Sequence, residues 1–157
     1  MKKGLSALAL VAFWLGCFSP LWAFDEQLAK NYEKFFAGYS GKNLNVALGM
    51  LEPYDIVKGI IDKKEEIWFL DIRTPLETGI LGMTFKNTLH IPINEVFKSE
   101  NLAKIPADKT VVVICQKGIR AIAVATASRN IGFNNVKTLV GGMRNLIDYL
   151  CPMVLYN

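Results

Sequence analysis

The sequence is poor in the residues that cross-link small proteins or bind metals. Its 157 residues include three cysteines and a single histidine, His90. Three cysteines are too few for a disulfide scaffold, and one histidine with scattered cysteines does not supply the ligand set of a usual metal site. We therefore expect no metal and no cofactor.

The chain also lacks a strong excess of charge of one sign. Its net charge is +4, charged residues make up 20% and hydrophobic residues 52%, which together exclude a disordered chain. Two of the lysines lie near the amino terminus, and no stripe of Lys and Arg with interleaved aromatic residues occurs elsewhere. A nucleic-acid partner is therefore not expected.

Residues 1–23 have the pattern of a targeting segment. Lys2 and Lys3 precede an apolar run over residues 5–15, which is shorter than the roughly 20 residues that a membrane-spanning helix needs. The sequence predicts a cleavable signal peptide and a mature protein in a bacterial periplasm. Two alternatives stay open, namely lipid attachment at Cys17 and an uncleaved anchor that holds the domain on the periplasmic side of a membrane.

The mature chain divides into three predicted segments. Residues 24–44 form an N-terminal helical extension, residues 45–150 the core domain, and residues 151–157 a C-terminal tail. Within the core domain, short apolar strands alternate with helical segments, which is typical of an α/β domain with a parallel sheet. The predicted strands span residues 45–51, 67–70, 89–91, 111–114 and 136–140.

The loop that follows the fourth predicted strand has the composition of a nucleophilic site. Cys115 ends the strand, Gly118 allows a tight turn into a helix, and Lys117 and Arg120 add two cations. The helix N-terminus and the cations stabilise an anion, so we expect Cys115 to be largely thiolate near neutral pH. A thiolate is the form that acts as a nucleophile. The alternative is a buried, inert cysteine.

This loop resembles the active-site loop of the rhodanese family, which is usually written C-x-x-G-x-R-A/S. The resemblance extends over residues 45–150. It implies an α/β rhodanese-like fold, with a parallel five-stranded sheet flanked by helices on both faces. The residues that carry it are Cys115 to Ala121, Leu70-Asp71-Ile72-Arg73, Ile91-Pro92, Gly132-Phe133 and Gly141-Gly142.

The resemblance implies sulfur transfer by an active-site cysteine. Four residues separate Cys115 from Arg120, as in the family's sulfurtransferases, whereas the related phosphatases have five. Cys115 would be catalytic: it takes the outer sulfur of thiosulfate or polysulfide as a persulfide and passes it to a thiol or to cyanide. The residues expected to bind the substrate are Gln116, Lys117, Gly118, Ile119 and Arg120.

Other polar residues receive supporting roles. Asp71 and Arg73 are expected to pair and hold the end of their strand, and Arg120 either touches the substrate or braces the loop through a carboxylate. His90 is set aside as a catalytic residue because it belongs to a different strand and the loop can activate the thiol alone.

Two rival functions stay open. The first is a non-catalytic module that carries sulfane sulfur to a partner, and the second is a thiol redox protein that uses Cys115 and Cys151. A homodimer through the N-terminal helix is a further possibility. A membrane is a partner only if the N-terminal segment is retained or lipidated.

Overall fold

The computed structural model describes residues 23–39, 41 and 44–151. The chain divides into two compact units, residues 1–34 and 35–157. The predicted signal peptide, apart from its last residue, and most of the predicted tail lie outside the described residues. The predicted domain boundaries stay predictions.

Helix α1 (Glu26–Phe36) occupies the N-terminal extension, where helical spacing predicts a helix. Asp25 precedes it and accepts a hydrogen bond from the amide of Leu28 at 2.9 Å, as a capping residue does. Glu26 in the first turn and Lys34 in the last turn suit the helix dipole.

The described residues after α1 alternate between strands and helices, as the sequence predicts. Their order is α2 (Leu44–Ala47), β1 (Met50–Leu51), α3 (Pro53–Ile61), β2 (Ile67–Asp71), α4 (Pro75–Ile80), β3 (Thr88–His90), α5 (Ser99–Leu102), β4 (Thr110–Ile114), α6 (Ile119–Asn130), β5 (Val136–Leu139) and α7 (Gly142–Tyr149). Among these described helices, none has the length and apolar character needed to cross a membrane.

Within the described residues, the five strands form one sheet in the order β1-β5-β4-β2-β3, and every neighbouring pair is parallel. The predicted fold class is therefore confirmed. Strand β4 lies at the centre between β5 and β2, and it is buried on both faces, which explains its continuous run of β-branched residues.

Helices cover the sheet on both faces. Val111 and Val113 of β4 pack with the buried residues of α6, and Val112 and Ile114 pack in a second cluster with residues of α3 and α7. Because successive side chains of a strand point to opposite faces, one apolar strand contributes to two cores. The central strand is thereby fixed, and with it the position of the residue that follows it.

One predicted strand is wrong over most of its length. Residues 45–47 lie in α2, and the strand is confined to Met50 and Leu51. Gly49 stands between the two with a φ of +64°, a left-handed conformation that breaks regular structure. The guanidinium of Arg129 on α6 donates to the carbonyl of Leu48 at 2.6 Å, which fixes this break against the core domain.

Candidate active site

Cys115 lies at the carboxyl edge of the sheet, directly after β4, and is 1% exposed. The amide of Ile72 donates to the carbonyl of Ile114 at 2.9 Å. The segments that follow β2 and β4 therefore leave the sheet side by side. This edge is where parallel α/β folds bind their ligands.

Three backbone amides of the loop after Cys115 have no hydrogen-bond acceptor among the described residues. In the described part of the chain, the amides of Gln116, Lys117 and Gly118 donate to no other residue. Gly118 has a φ of +85° and is the N-cap residue of α6. Successive free amides at a left-handed turn and a helix N-terminus form a concavity that favours anions.

The turn at Gly141 and Gly142 packs against this loop. The amides of Met143 and Arg144, in the first turn of α7, donate to the carbonyls of Cys115 at 2.9 Å and Gln116 at 3.2 Å. The loop carbonyls thus satisfy donors that a helix N-terminus otherwise leaves unpaired. A side chain on Gly142 would overlap the carbonyl oxygen of Cys115 and lie 2.6 Å from the amide nitrogen of Gly118.

Arg120 braces the loop through a carboxylate on α4. Its Nη1 donates to Oε2 of Glu77 at 3.1 Å and its Nη2 to Oε1 at 2.5 Å. The hydrogen bond to Glu77 is the main cause that raises the pKa of Arg120, and Cys115 adds a smaller contribution of the same sign. The structure thus shows Arg120 paired with a carboxylate, and contact between Arg120 and a substrate stays a prediction.

The Glu77 carboxylate is itself held in a capping box with Thr74. The amide and hydroxyl of Thr74 donate to Oε2 of Glu77 at 2.9 and 3.0 Å, and the amide of Glu77 donates to the Thr74 hydroxyl at 3.3 Å. The Arg120 guanidinium, followed by the Thr74 amide, lowers the pKa of Glu77 from 4.5 to about 2. Glu77 is therefore ionised at any ordinary pH.

Asp71 and Arg73 form a buried ion pair beside the loop. Nη2 of Arg73 lies 2.7 Å from Oδ2 of Asp71, Nε donates to Oδ1 at 2.9 Å, and both side chains are fully buried. His90 at the end of β3 places its Nδ1 3.6 Å from the same Oδ2 and is half-exposed. This cluster holds the end of β2.

A cleft of about 360 Å³ opens at the loop and is lined by Cys115, Gln116, Lys117, Ile119 and Arg120. The structure thus brings together the predicted nucleophile and four of the five predicted substrate-binding residues. Gly118 is buried against the backbone of Leu139 and Gly141, so only its backbone amide can serve the site. Among the described residues, no group of His, Cys, Asp and Glu side chains is arranged to hold a metal ion.

Comparison with known proteins places the chain in a family. The Rhodanese-like domain profile matches residues 54–148, which include the Cys115 loop and the elements around it. The chain belongs to the rhodanese-like family.

Its rhodanese-like domain is similar to parts of two curated proteins. A probable adenylyltransferase/sulfurtransferase MoeZ of Mycobacterium tuberculosis is 27% identical over 127 residues, which cover 80% of this chain and 32% of MoeZ. The mitochondrial thiosulfate sulfurtransferase RDL2 of Saccharomyces cerevisiae is 28% identical over 86 residues, 55% of this chain and 58% of RDL2.

One solved structure is also similar to this chain. The NAD-dependent persulfide reductase from A. fulgidus has a TM-score of 0.50 and 31% identity, over 66% of this chain and 17% of the reductase. The chain therefore spans about a third of MoeZ and less than a fifth of the reductase.

A second described cysteine, Cys151, lies just after the core domain. Cys151 is exposed and follows α7, whereas the backbone of Cys115 contacts the opposite end of that helix. The eight residues of α7 span roughly 12 Å at the rise of an α-helix, and a disulfide needs Cα atoms within about 7 Å. Both cysteines are free in the structure, and the length of α7 does not favour a Cys115–Cys151 disulfide.

Two functional contacts were missed by the sequence reasoning. Glu77 received no role, although Thr74, Pro75 and Glu77 carry the signature of a capping box with proline at the first helical position. That signature predicts α4 and a fixed carboxylate. The hydrogen bonds from the amides of Met143 and Arg144 to the loop have no local sequence signal beyond the two consecutive glycines.

Proposed function

We propose that this chain is an exported rhodanese-like sulfurtransferase, which moves sulfane sulfur from thiosulfate or polysulfide to a thiol or cyanide acceptor through a persulfide on Cys115. The observation that carries the proposal is the buried Cys115 beside three backbone amides that have no partner in the described chain. A persulfide sulfur is an anion of the size that such a small ring of amides accommodates.

The first half-reaction is a displacement at the outer sulfur of the donor. The Cys115 thiolate attacks that sulfur, a new S–S bond forms on Sγ, and the S–S bond of the donor breaks. Its electron pair leaves with sulfite when the donor is thiosulfate, or with the shortened chain when the donor is polysulfide. In the second half-reaction an acceptor thiolate or cyanide attacks the outer sulfur, and Cys115 leaves again as thiolate.

Each part of the loop would have its own role in the reaction. The amides of Gln116, Lys117 and Gly118 stabilise the persulfide, and the Lys117 ammonium attracts the anionic donor. Arg120 and Glu77 keep the loop in shape. The five-stranded sheet and α7 act as a rigid scaffold, which is what a pre-organised site needs.

Intact-mass analysis after incubation with thiosulfate or polysulfide tests the proposal. The wild-type chain and Cys151→Ser are expected to gain the mass of one sulfur atom, and Cys115→Ser is expected to gain none. Rapid thiocyanate formation with cyanide then separates an enzyme from a carrier, which would load sulfur but release it slowly.

Two results would contradict the proposal. A chain that gains no sulfur but loses two hydrogens in a reaction dependent on both cysteines would be a redox protein. Release of phosphate from an aryl phosphate, without sulfur loading, would point to the related phosphatases.

The proposed location rests on residues 1–23. Sequencing of the N-terminus of protein recovered from a bacterial periplasm is expected to begin at Phe24. A chain retained in the membrane fraction would instead support the anchored or lipidated form. A homodimer stays a proposal, and the mass of the mature protein in solution tests it.

A further inference from the structure

We propose that α1 binds the surface of a phospholipid bilayer through one apolar, aromatic face and keeps the processed chain at the membrane. The segment concerned, residues 24–39, precedes the part of the chain that matches the family, and the proposal goes beyond sulfur transfer. It also differs from the expectation that a membrane is a partner only through residues 1–23, because it applies to a chain from which those residues have been removed.

Helix α1 separates its large apolar side chains from its charged ones. Four large apolar side chains fall within an arc of about 100° at 3.6 residues per turn, namely Leu28, Tyr32, Phe35 and Phe36. The charged side chains fall within a similar arc on the opposite side, namely Glu26, Lys30, Glu33 and Lys34. Such a division is typical of a helix that lies between an apolar and an aqueous medium.

The apolar face of α1 is exposed. Leu28 and Phe36 are each 44% exposed, and Phe24, which precedes the helix, is 56% exposed. Tyr39 extends the face, since its ring centroid lies 5.2 Å from those of Phe35 and Phe36. All eleven residues of α1 are at least partly exposed. This surface is termed the aromatic stripe, and its members are Phe24, Leu28, Tyr32, Phe35, Phe36 and Tyr39.

A helix as short as α1 depends on the burial of its apolar face. Isolated helices of fewer than about 12–15 residues are marginal in water, and α1 has 11. The ion pair between Lys30 and Glu26, at 3.6 Å, is exposed and adds little. Contact of the aromatic stripe with an apolar medium is therefore the larger contribution available to α1.

A second copy of the chain would cover the aromatic stripe only weakly through α1 alone. A fully buried aromatic side chain covers about 150–250 Å², so the stripe, at its partial exposure, offers roughly 400 Å² in each copy. Two copies would bury roughly 800 Å², whereas stable interfaces bury about 1,200–2,000 Å². A bilayer has no such threshold, because binding to it grows with the apolar area inserted.

The composition of the aromatic stripe suits a bilayer surface. Phe and Leu on one face and charged residues on the other are typical of helices that lie in the plane of the membrane surface. Tyr32 and Tyr39 have apolar rings with polar hydroxyls, which favour the boundary between hydrocarbon and water. The helix is roughly 16 Å long, about half of the 30 Å hydrocarbon core, so it lies on the membrane and does not cross it.

The position of α1 in the chain also favours a bilayer. The apolar run over residues 5–15 lies just upstream and is the core of the predicted signal peptide. A signal peptide occupies the membrane during export, so the residues that follow it emerge at the membrane surface. This step rests on the predicted export.

The charges of α1 predict how it binds. The two acidic and two basic side chains of its polar face cancel, so attachment rests on apolar contact and needs no anionic lipid. We therefore expect binding to neutral phosphatidylcholine vesicles that persists at high salt. Non-specific attraction of the positively charged chain would instead require anionic lipid and would be lost in salt.

Co-sedimentation with sucrose-loaded phosphatidylcholine vesicles tests the proposal on a chain that begins at Phe24. Removal of residues 1–23 leaves every described helix and strand and both apolar clusters in place. The bound fraction is measured against lipid concentration at low and high salt. Hydrogen exchange followed by mass spectrometry localises the contact, because amides of residues 26–39 should exchange more slowly with vesicles and those of the core domain should not change.

Two matched variants test the aromatic stripe. Leu28→Gln removes an apolar side chain but keeps a good helix former, and its partition coefficient into the vesicles is expected to fall roughly tenfold. Ile147→Gln is the control, because Ile147 is an aliphatic residue on α7 that is 39% exposed, close to the 44% of Leu28. It removes similar surface outside the stripe and should bind as wild type does.

Binding that persists in salt, weakens in Leu28→Gln and is unchanged in Ile147→Gln supports the proposal. Absence of binding would overturn it, and a dimer in solution that Leu28→Gln dissociates would then assign the aromatic stripe to a second copy. An unchanged Leu28→Gln, equal losses in both variants, or binding that requires anionic lipid would overturn it as well. The assay contains no sulfur donor, so a chain that fails to load sulfur and a chain that fails to bind vesicles are separate results.

Discussion

The carbonyl oxygen of Cys115 accepts a hydrogen bond from the amide of Met143 at 2.9 Å. This bond joins the end of the central strand to the first turn of the last described helix. The loop that carries the nucleophile is thus held by a helix that begins 27 residues later in the chain. The shape of the site therefore depends on α7 as well as on the sequence of the loop.

Gly142→Ala is expected to disrupt the loop. Residue 142 has a φ of +65°, and its new Cβ would overlap the Cys115 carbonyl. The left-handed conformation alone costs a non-glycine residue about 1–2 kcal/mol, and the overlap adds to it. Thermal unfolding should show lower stability, and sulfur loading should fall sharply.

Gly41→Ala is the matched control for that substitution. Residue 41 has a φ of +58°, but a Cβ there meets no described atom within 4 Å. It carries the backbone cost without the overlap, so it should lose some stability and keep full sulfur loading. Equal losses of loading in the two variants would show that the contact with Cys115 is unimportant.

The ion pair of Glu77 and Arg120 is expected to make stability depend on acid pH. The pKa of Glu77 is lowered from 4.5 to about 2 in the folded chain, chiefly by Arg120. Its contribution is therefore fully present above pH 4.5 and is lost as the pH falls towards about 2. The advantage of wild type over Glu77→Gln in urea unfolding should shrink across this window. A constant difference would contradict the ion pair.

Removal of one partner of the Asp71–Arg73 pair is expected to be severe. Both side chains are fully buried, and an uncompensated buried charge costs about 3–5 kcal/mol. Arg73→Met should therefore destabilise the chain strongly, and the double variant with Asp71→Asn should recover part of the loss. A double-mutant cycle in urea measures this coupling. Additive losses would argue against the pairing.

Lys117→Ala is expected to slow loading by anionic donors. The Lys117 ammonium is exposed at the mouth of the cleft, and its loss should lower the rate with thiosulfate by roughly tenfold at low salt, with a smaller effect at high salt. Lys86→Ala removes an exposed lysine just before β3, at the opposite edge of the sheet. A similar effect of both substitutions would mean that only the overall charge matters.

Much of the fold could be predicted because its signals are local. The apolar runs of β2 and β4 are buried on both faces, and such strands belong to parallel sheets. Cys115 could be placed at the functional edge because it follows one of these strands. The strand predicted at residues 45–51 failed because Gly49 interrupts an apolar pattern that fits a strand.

The contacts that complete the site could not be predicted in the same way. Arg120 and Glu77 are 43 residues apart, and no periodicity or spacing links them. The sequence favoured a carboxylate brace only as one of two options for Arg120. The identity of the partner depends on α4, a helix of six residues that apolar periodicity cannot detect.

Because α7 follows the Cys115 loop in the sequence, the parts of the site are synthesised in a fixed order. The loop at Cys115 precedes in sequence the amides of Met143 and Arg144 that bind it. Strand β1 likewise can pair with β5 only after β5 has been synthesised. A chain that leaves the ribosome from its N-terminus exposes the thiol well before those supports are made. The nucleophile is thus synthesised before the amides that support its loop.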